Sequence, residues 1–217
     1  MAWIKSDTAQ TRAEEIGNAT THGMGVLLSL AAMFLLVLFS SNQDDILKLV
    51  SAVVFGTSLL LMYLSSTVYH SLTNPKKKHL FRIMDHASIY LLIAGSYTPF
   101  MLVTLKGPWG WGLFTLVWLL ACAGVAFKVF FVHKFENLST IIYLLMGWMS
   151  LLVIKPIYQL LPLGGLICLI AGGLCYTVGV VFFVWERLKF SHVLWHLFVL
   201  AGSTFHFFAV LFYVVIV

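Results

Sequence analysis

Two histidines four residues apart, His192 and His196, open the last apolar segment of the chain within the hexapeptide SHVLWH. In a helix this spacing puts both side chains on one face, about 6 Å apart along the axis, where both imidazoles reach one metal ion. Two imidazoles alone leave a metal ion incompletely coordinated. The pair therefore predicts a site whose other ligands come from elsewhere in the chain.

The composition identifies a polytopic membrane protein. Of the 217 residues, 61% are hydrophobic and only 10% are charged, and the mean hydropathy of +0.98 lies outside the range of soluble domains. The net charge of +5 concerns orientation and anionic lipid head groups, because the basic residues are too scattered to form a nucleic-acid track. We expect membrane lipids as partners and no nucleic acid.

Apolar runs of about 20 residues, the length that crosses a bilayer, divide the chain into seven predicted helices. The predicted spans are residues 22–40, 46–70, 83–104, 109–131, 138–154, 161–185 and 192–217. Asn74-Pro75 and Lys155-Pro156 mark predicted helix ends, and Pro99 inside the third run predicts a kink. The prediction is one all-α domain over 1–217, a seven-transmembrane helix bundle in which 1–21 form a short cytoplasmic N-terminal segment.

Lysine and arginine are distributed unevenly between the two sides of this bundle. Ten of the 13 lie on the side of the N-terminus: Lys5, Arg12, Lys76, Lys77, Lys78, Arg82, Lys128, Lys134, Arg187 and Lys189. Only Lys48, Lys106 and Lys155 lie on the other side. Because positive residues concentrate in cytoplasmic loops, we predict a cytoplasmic N-terminus and an outside C-terminus.

This topology brings polar residues of three helices to the cytoplasmic side. Ser66 and His70 lie one turn apart at the end of the second span, Asp85 opens the third, and His192 and His196 open the seventh. Three imidazoles with a position left for water are the ligand set of a catalytic zinc ion. We predict Zn²⁺ at His70, His192 and His196. Asp85 either binds the ion directly or, as we prefer, holds and deprotonates the water, and Ser66 is a hydrogen-bond partner or substrate contact. Each histidine alone is better explained as an interfacial side chain that binds nothing, whereas the set at one depth favours the site.

Further polar residues have two interpretations each. Glu15, Asn18 and His22 fall on one helical stripe, which either covers the cytoplasmic mouth of the site or lies along the membrane surface. His206 stands about 15 Å beyond His196 along the helix, too far to share its ion. It is either a functional residue within the membrane or a neutral imidazole hydrogen-bonded between helices.

Several motifs spread over nearly the whole chain carry a resemblance to a known family. They are Glu14-Glu15 with Asn18 and Thr21-His22-Gly23, Ser65-Ser66-Thr67-Val68-Tyr69-His70, Asp85-His86, Gly95-Ser96-Tyr97-Thr98-Pro99, and Ser191-His192 through Trp195-His196. Together they resemble the bacterial hemolysin III family, the prokaryotic branch of the progestin and adipoQ receptor family, within a wider set of membrane hydrolases that includes alkaline ceramidases.

The resemblance implies a seven-helix protein of the bacterial inner (cytoplasmic) membrane with zinc near its cytoplasmic side. By motif, His70, His192 and His196 are its ligands, Asp85 acts through a water, and Ser66 stands close by. The implied activity is a zinc-dependent hydrolase of a lipid amide or ester in membrane lipid homeostasis, with a lipid substrate or fatty acid product in the bundle cavity.

Other functions stay open at this point. One is a non-enzymatic membrane regulator or sensor in which zinc is structural. Another is a pore-forming cytolysin, which little in the sequence favours, because no pore-lining strand pattern or ring of mid-span charges is present. A proton pathway through His206 is a minor alternative.

Overall fold

The computed structural model describes residues 10–185 and 187–217, which are almost entirely helical and contain no strand. In that part of the chain, seven helical spans are long and apolar enough to cross a membrane. The helices are α1 (Arg12–Ser41), α2 (Ile46–Ser71), α3 (Pro75–Pro99), α4 (Gly107–Phe131), α5 (Glu136–Gly147), α6 (Ile154–Leu160), α7 (Leu163–Val184) and α8 (Ser191–Val210). The predicted all-α, seven-span architecture is confirmed, and α5 and α6 together form the fifth span.

The first helix begins at Arg12, ten residues before the predicted start at His22. Thr11 caps it: the Thr11 hydroxyl oxygen accepts from the Glu14 amide at 3.3 Å, and the Glu14 carboxylate accepts from the Thr11 amide at 2.9 Å. The polar residues of 12–21 thus belong to a helix, because their polar face is covered by the bundle. Residues 1–9 of the predicted N-terminal segment lie outside the described residues.

The prediction that the fifth span ends at Lys155-Pro156 is wrong. A 3₁₀ turn, Met149–Val153, leads into α6, and Pro156 lies in the first turn of that helix. A proline there costs no helical hydrogen bond, because the first amides of a helix have no intrahelical acceptor. The fifth span therefore continues to Leu160.

The third span changes its winding at the predicted proline. The α-helix ends at Pro99, and a π-helical turn, Phe100–Leu105, continues it. Tyr97, just before this change, reaches the break after α5: its hydroxyl donates towards the carbonyls of Met146 and Gly147, at 2.9 and 2.8 Å, and accepts from the Ser150 amide at 2.8 Å. The Tyr97 hydroxyl thus forms hydrogen bonds with backbone groups that have lost their helical partners where α5 is interrupted.

Helix α1 packs against both α2 and α8, so the last helix closes the bundle against the first. Glycines allow the close approach: a Cβ on Gly25 would lie 2.4 Å from the ring of Tyr63 in α2, and one on Gly17 would lie 2.9 Å from Val193 in α8. The start of α1, the end of α2 and the starts of α3 and α8 consequently meet at one end of the bundle, which we call the histidine end.

Candidate metal centre

Three histidines from two helices meet at the histidine end. His70 lies in the last turn of α2, and His192 and His196 lie in the first two turns of α8. One ring nitrogen from each lies within 4.8 Å of the other two. Zinc–nitrogen bonds are about 2.0–2.1 Å long, so nitrogens this close to one another are near the spacing that one ion requires. The structure therefore brings together the three residues that the sequence selected as ligands.

The burial of this cluster fits a metal ion. His70 and His196 are 4% and 1% exposed, and His192 is half-buried. Among the described residues, the buried Nε2 of His70 has no hydrogen-bond partner, and an unpaired buried polar atom costs about 1–3 kcal/mol. An ion between the three rings would give this nitrogen a partner. Three imidazoles suit zinc and also other divalent ions that accept nitrogen ligands.

Asp85 and Ser66 are buried beside the cluster without joining it. Asp85, on α3, is 8% exposed and Ser66 is fully buried. The Asp85 carboxyl lies outside the group of mutually close ligand atoms found in the described part of the chain, and His70, Ser66 and Arg82 are among the groups near enough to act on it. This placement is compatible with Asp85 acting through a water, which stays a prediction.

Helix α1 contributes a carboxylate whose role the sequence left open. Nδ1 of His70 donates to Oε2 of Glu15 at 2.7 Å, and Nζ of Lys78 donates to Oε1 of the same carboxylate at 2.7 Å. Glu15 thus contacts His70, a predicted ligand, on the side of the imidazole ring that faces away from the cluster. Of the two interpretations of the polar stripe on α1, covering the site is the one that the contacts fit.

The same stripe covers His196. Nδ1 of His196 lies 3.3 Å from the carbonyl oxygen of Asn18 and 3.4 Å from the hydroxyl of Thr21. The ring of His22 stacks on His196 with centroids 3.5 Å apart and planes within 9°. Since Nδ1 of His196 faces α1, Nε2 is left to face the cluster. In the sequence, helical spacing put Asn18 and His22 on one stripe, and the family resemblance included both, but neither signal identified His196 as the residue they contact.

An apolar cavity of about 460 Å³ leads from the histidine end into the bundle. Asp85, His192 and His196 line its polar end, and residues such as Val199 and Ile157 line the rest. The volume lies within the range of small-molecule sites, about 300–1,000 Å³. His206 also lines this cavity, outside the three-histidine cluster, as its distance along the helix predicted.

Comparison with known proteins gives consistent matches over almost the whole chain. The model of the haemolysin-III-related family matches residues 10–207. The chain is 51% identical to hemolysin-3 of Bacillus cereus, covering 93% of this chain and 92% of that protein. It is 50% identical to a hemolysin-3 homolog of Bacillus subtilis, covering 93% and 95%. It is 31% identical to the human monocyte to macrophage differentiation factor, covering 91% and 83%. No solved structure matches the chain.

Proposed function

Because the chain belongs to the haemolysin-III-related family of multi-pass membrane proteins, we propose that it is a zinc-dependent hydrolase of a lipid amide or ester. We place it in the bacterial inner membrane, with the histidine end on the cytoplasmic side where most lysines and arginines lie. The observation that carries the proposal is the three-histidine cluster at the polar end of an apolar cavity. A role in membrane lipid homeostasis follows from such an activity.

The chemistry divides between the ion and the chain. When bound at His70, His192 and His196, zinc supplies Lewis-acid activation of water near neutral pH. Hydrolysis adds water to the carbonyl carbon and breaks the bond to the leaving nitrogen or oxygen. The Asp85 carboxylate takes the proton that the water gives up and returns it to the leaving group. The buried Ser66 hydroxyl, which lies near that carboxyl, is available to orient it.

The cavity supports a substrate with one long apolar chain. Its wall is predominantly apolar below the polar end, so an acyl chain removes apolar surface from water and leaves its carbonyl at the histidine end. The helices expose large apolar side chains outwards, and with the histidine end on the cytoplasmic side the cavity would begin at the depth of the lipid head groups. A lipid amide or ester presents its scissile carbonyl at that depth.

Zinc content and an Asp85 variant test the proposal together. Purified protein should hold about one zinc per chain, and Asp85→Asn should keep this zinc while losing about 10²–10⁴-fold in hydrolysis of a lipid amide or ester. Asp45→Asn, which changes a carboxylate at the opposite end of the bundle where Asp45 caps α2, is the matched control and should keep activity. Protein without zinc, or an Asp85→Asn variant with full activity, would rule the hydrolase out.

A second candidate is a membrane regulator in which the metal is structural. The observation that favours it is that the cluster joins α2 to α8, two helices far apart in sequence, so an ion there would hold the bundle together. In that case Asp85→Asn keeps biological activity, whereas His192→Ala lowers thermal stability and activity together. The two candidates thus predict opposite results for the Asp85 variant.

A further inference from the structure

Helix α1 supplies none of the three clustered histidines, yet its polar stripe lies against two of them. Glu15 is the member of this stripe with the shortest hydrogen bond to a clustered histidine, 2.7 Å from its Oε2 to Nδ1 of His70. The His70 side chain is 1% exposed and the Glu15 side chain is 22% exposed. Glu15 is therefore partly exposed at the surface of the bundle, and its carboxylate contacts the buried imidazole of His70.

This contact decides which nitrogen of His70 is available to a metal. An ionised carboxylate only accepts hydrogen bonds, so Nδ1 of His70 carries the proton and the lone pair lies on Nε2. Nε2 is the buried atom that makes no hydrogen bond within the described part of the chain. A carboxylate behind a ligand histidine fixes its ring and makes the other nitrogen a stronger donor to the metal.

We propose that Glu15 is a positioning residue that orients His70 and raises the metal affinity of the three-histidine cluster. The inference rests on the proposed metal centre and assigns α1 a role in it. Glu15 does not touch the ion, and it acts only through the imidazole of His70.

The position of Glu15 is itself fixed from two sides. Its Oε1 accepts a hydrogen bond from Nζ of Lys78 at 2.7 Å, and the same ammonium donates to the carbonyl oxygen of Leu72 at 3.3 Å. Lys78 belongs to α3 and His70 to α2, so one carboxylate links three helices at the histidine end. A carboxylate held at both oxygens has little freedom to leave the imidazole.

A purely structural ion pair would have a different consequence. Loss of such a pair lowers the stability of the metal-free protein and leaves the intrinsic affinity of the folded site for zinc unchanged. Loss of a positioning carboxylate weakens zinc binding by the folded protein, typically about 10–100-fold. Zinc affinity, measured beside the stability of the metal-free protein, separates the two roles.

The experiment is a Zn²⁺ titration of the full chain in detergent, in competition with a chromophoric chelator. Glu15→Ala should raise the zinc Kd by about 10–100-fold. Glu15→Gln, whose amide oxygen still accepts from Nδ1 but carries no charge, should raise it less. Glu14→Gln is the matched control, because the Glu14 carboxylate accepts from the Phe190 amide at 3.0 Å and contacts no clustered histidine in the described residues. It should leave the zinc Kd unchanged.

Co²⁺ in place of zinc gives a second measurement that does not depend on affinity. Its absorption bands report the geometry of the ligands, and they should shift in Glu15→Gln and not in Glu14→Gln. Wild-type zinc binding together with an unchanged Kd in both Glu15 variants would overturn the positioning role and leave the proposed function standing. Absence of zinc binding by the wild type would overturn both. Equal losses in Glu14→Gln and Glu15→Gln would also overturn the role of Glu15.

Discussion

The contact between Gly17 and Val193 sets the distance between α1 and the helix that carries two of the clustered histidines. A Cβ on Gly17 would lie 2.9 Å from Cγ2 of Val193, whereas carbon atoms in good contact are about 3.5–4.0 Å apart. The added methyl group of Gly17→Ala would thus be about half an ångström or more too close to Val193. The Val193 side chain has little freedom to turn away because it is branched at Cβ. The two helices must separate.

The expected loss of stability follows from comparing alanine substitutions at two helical glycines, Gly17 and Gly112. Overpacking of this kind costs about 1–3 kcal/mol, while Gly→Ala in a helix gains about 1 kcal/mol from propensity. Gly112 in α4 has nothing within 4 Å of the added Cβ, so Gly112→Ala shows the propensity gain alone. The free energy of unfolding of Gly17→Ala should therefore fall about 1–3 kcal/mol below that of Gly112→Ala.

The assay is denaturant unfolding of metal-free protein in detergent, with the zinc Kd measured on the folded variants. Separation of α1 from α8 should also weaken zinc binding, because the Asn18 carbonyl would move away from Nδ1 of His196. Val193→Ala in the same chain should restore part of both quantities, with a coupling of about 0.5–3 kcal/mol. Equal stability of Gly17→Ala and Gly112→Ala, or an equal effect of Gly17→Ala with and without Val193→Ala, would refute the reasoning.

Three further predictions concern the cluster and the cavity. Zinc at 100 times its Kd should stabilise the wild type by about 2.7 kcal/mol, seen as a higher Tm, and His192→Ala should lose this zinc-dependent rise; a rise that persists would exclude His192 as a ligand. His206→Phe should keep the zinc Kd, because His206 lies outside the cluster, and a weaker Kd would contradict that separation. Val199→Phe, at a 6% exposed position in the cavity wall, should favour shorter acyl chains in lipid turnover or binding without changing zinc content, whereas an unchanged chain-length profile would place the chain elsewhere.

The seven spans and the candidate ligands could be read from the sequence for a physical reason. A bilayer satisfies no backbone hydrogen bonds, so each long apolar run has to be helical, and helical spacing then puts His192 and His196 on one face. The apolar run of α2 ends at His70, and that of α8 begins at His192. Two spans precede the end of α2 and six precede the start of α8. Both helix ends therefore lie on the side of the N-terminus, and the sequence already placed the three imidazoles at one depth.

Hydropathy placed the start of the first span at His22, ten residues after α1 begins, and it gave the wrong end for the fifth span. It counts Glu15 and Asn18 as polar and starts the span after them, at His22, although α1 already contains them and packing covers them. It also counts Pro156 as a helix end, although the proline falls in the first turn of a new helix after a 3₁₀ turn. Where a helix begins and ends depends on the groups that surround its terminal residues. Tyr97 is an example, because its hydroxyl donates to the Met146 carbonyl and accepts from the Ser150 amide at the break that follows α5.

By itself, the sequence determined the membrane class, the spans and the set of histidines, because these depend on local composition and spacing. Only the tertiary structure decided that α1 lies against α2 and α8 at glycine contacts. That packing joins Glu15 to His70 across 55 positions of the chain and Asn18 to His196 across 178. Such contacts depend on the shapes of whole helix surfaces, and no local pattern in the sequence specifies them.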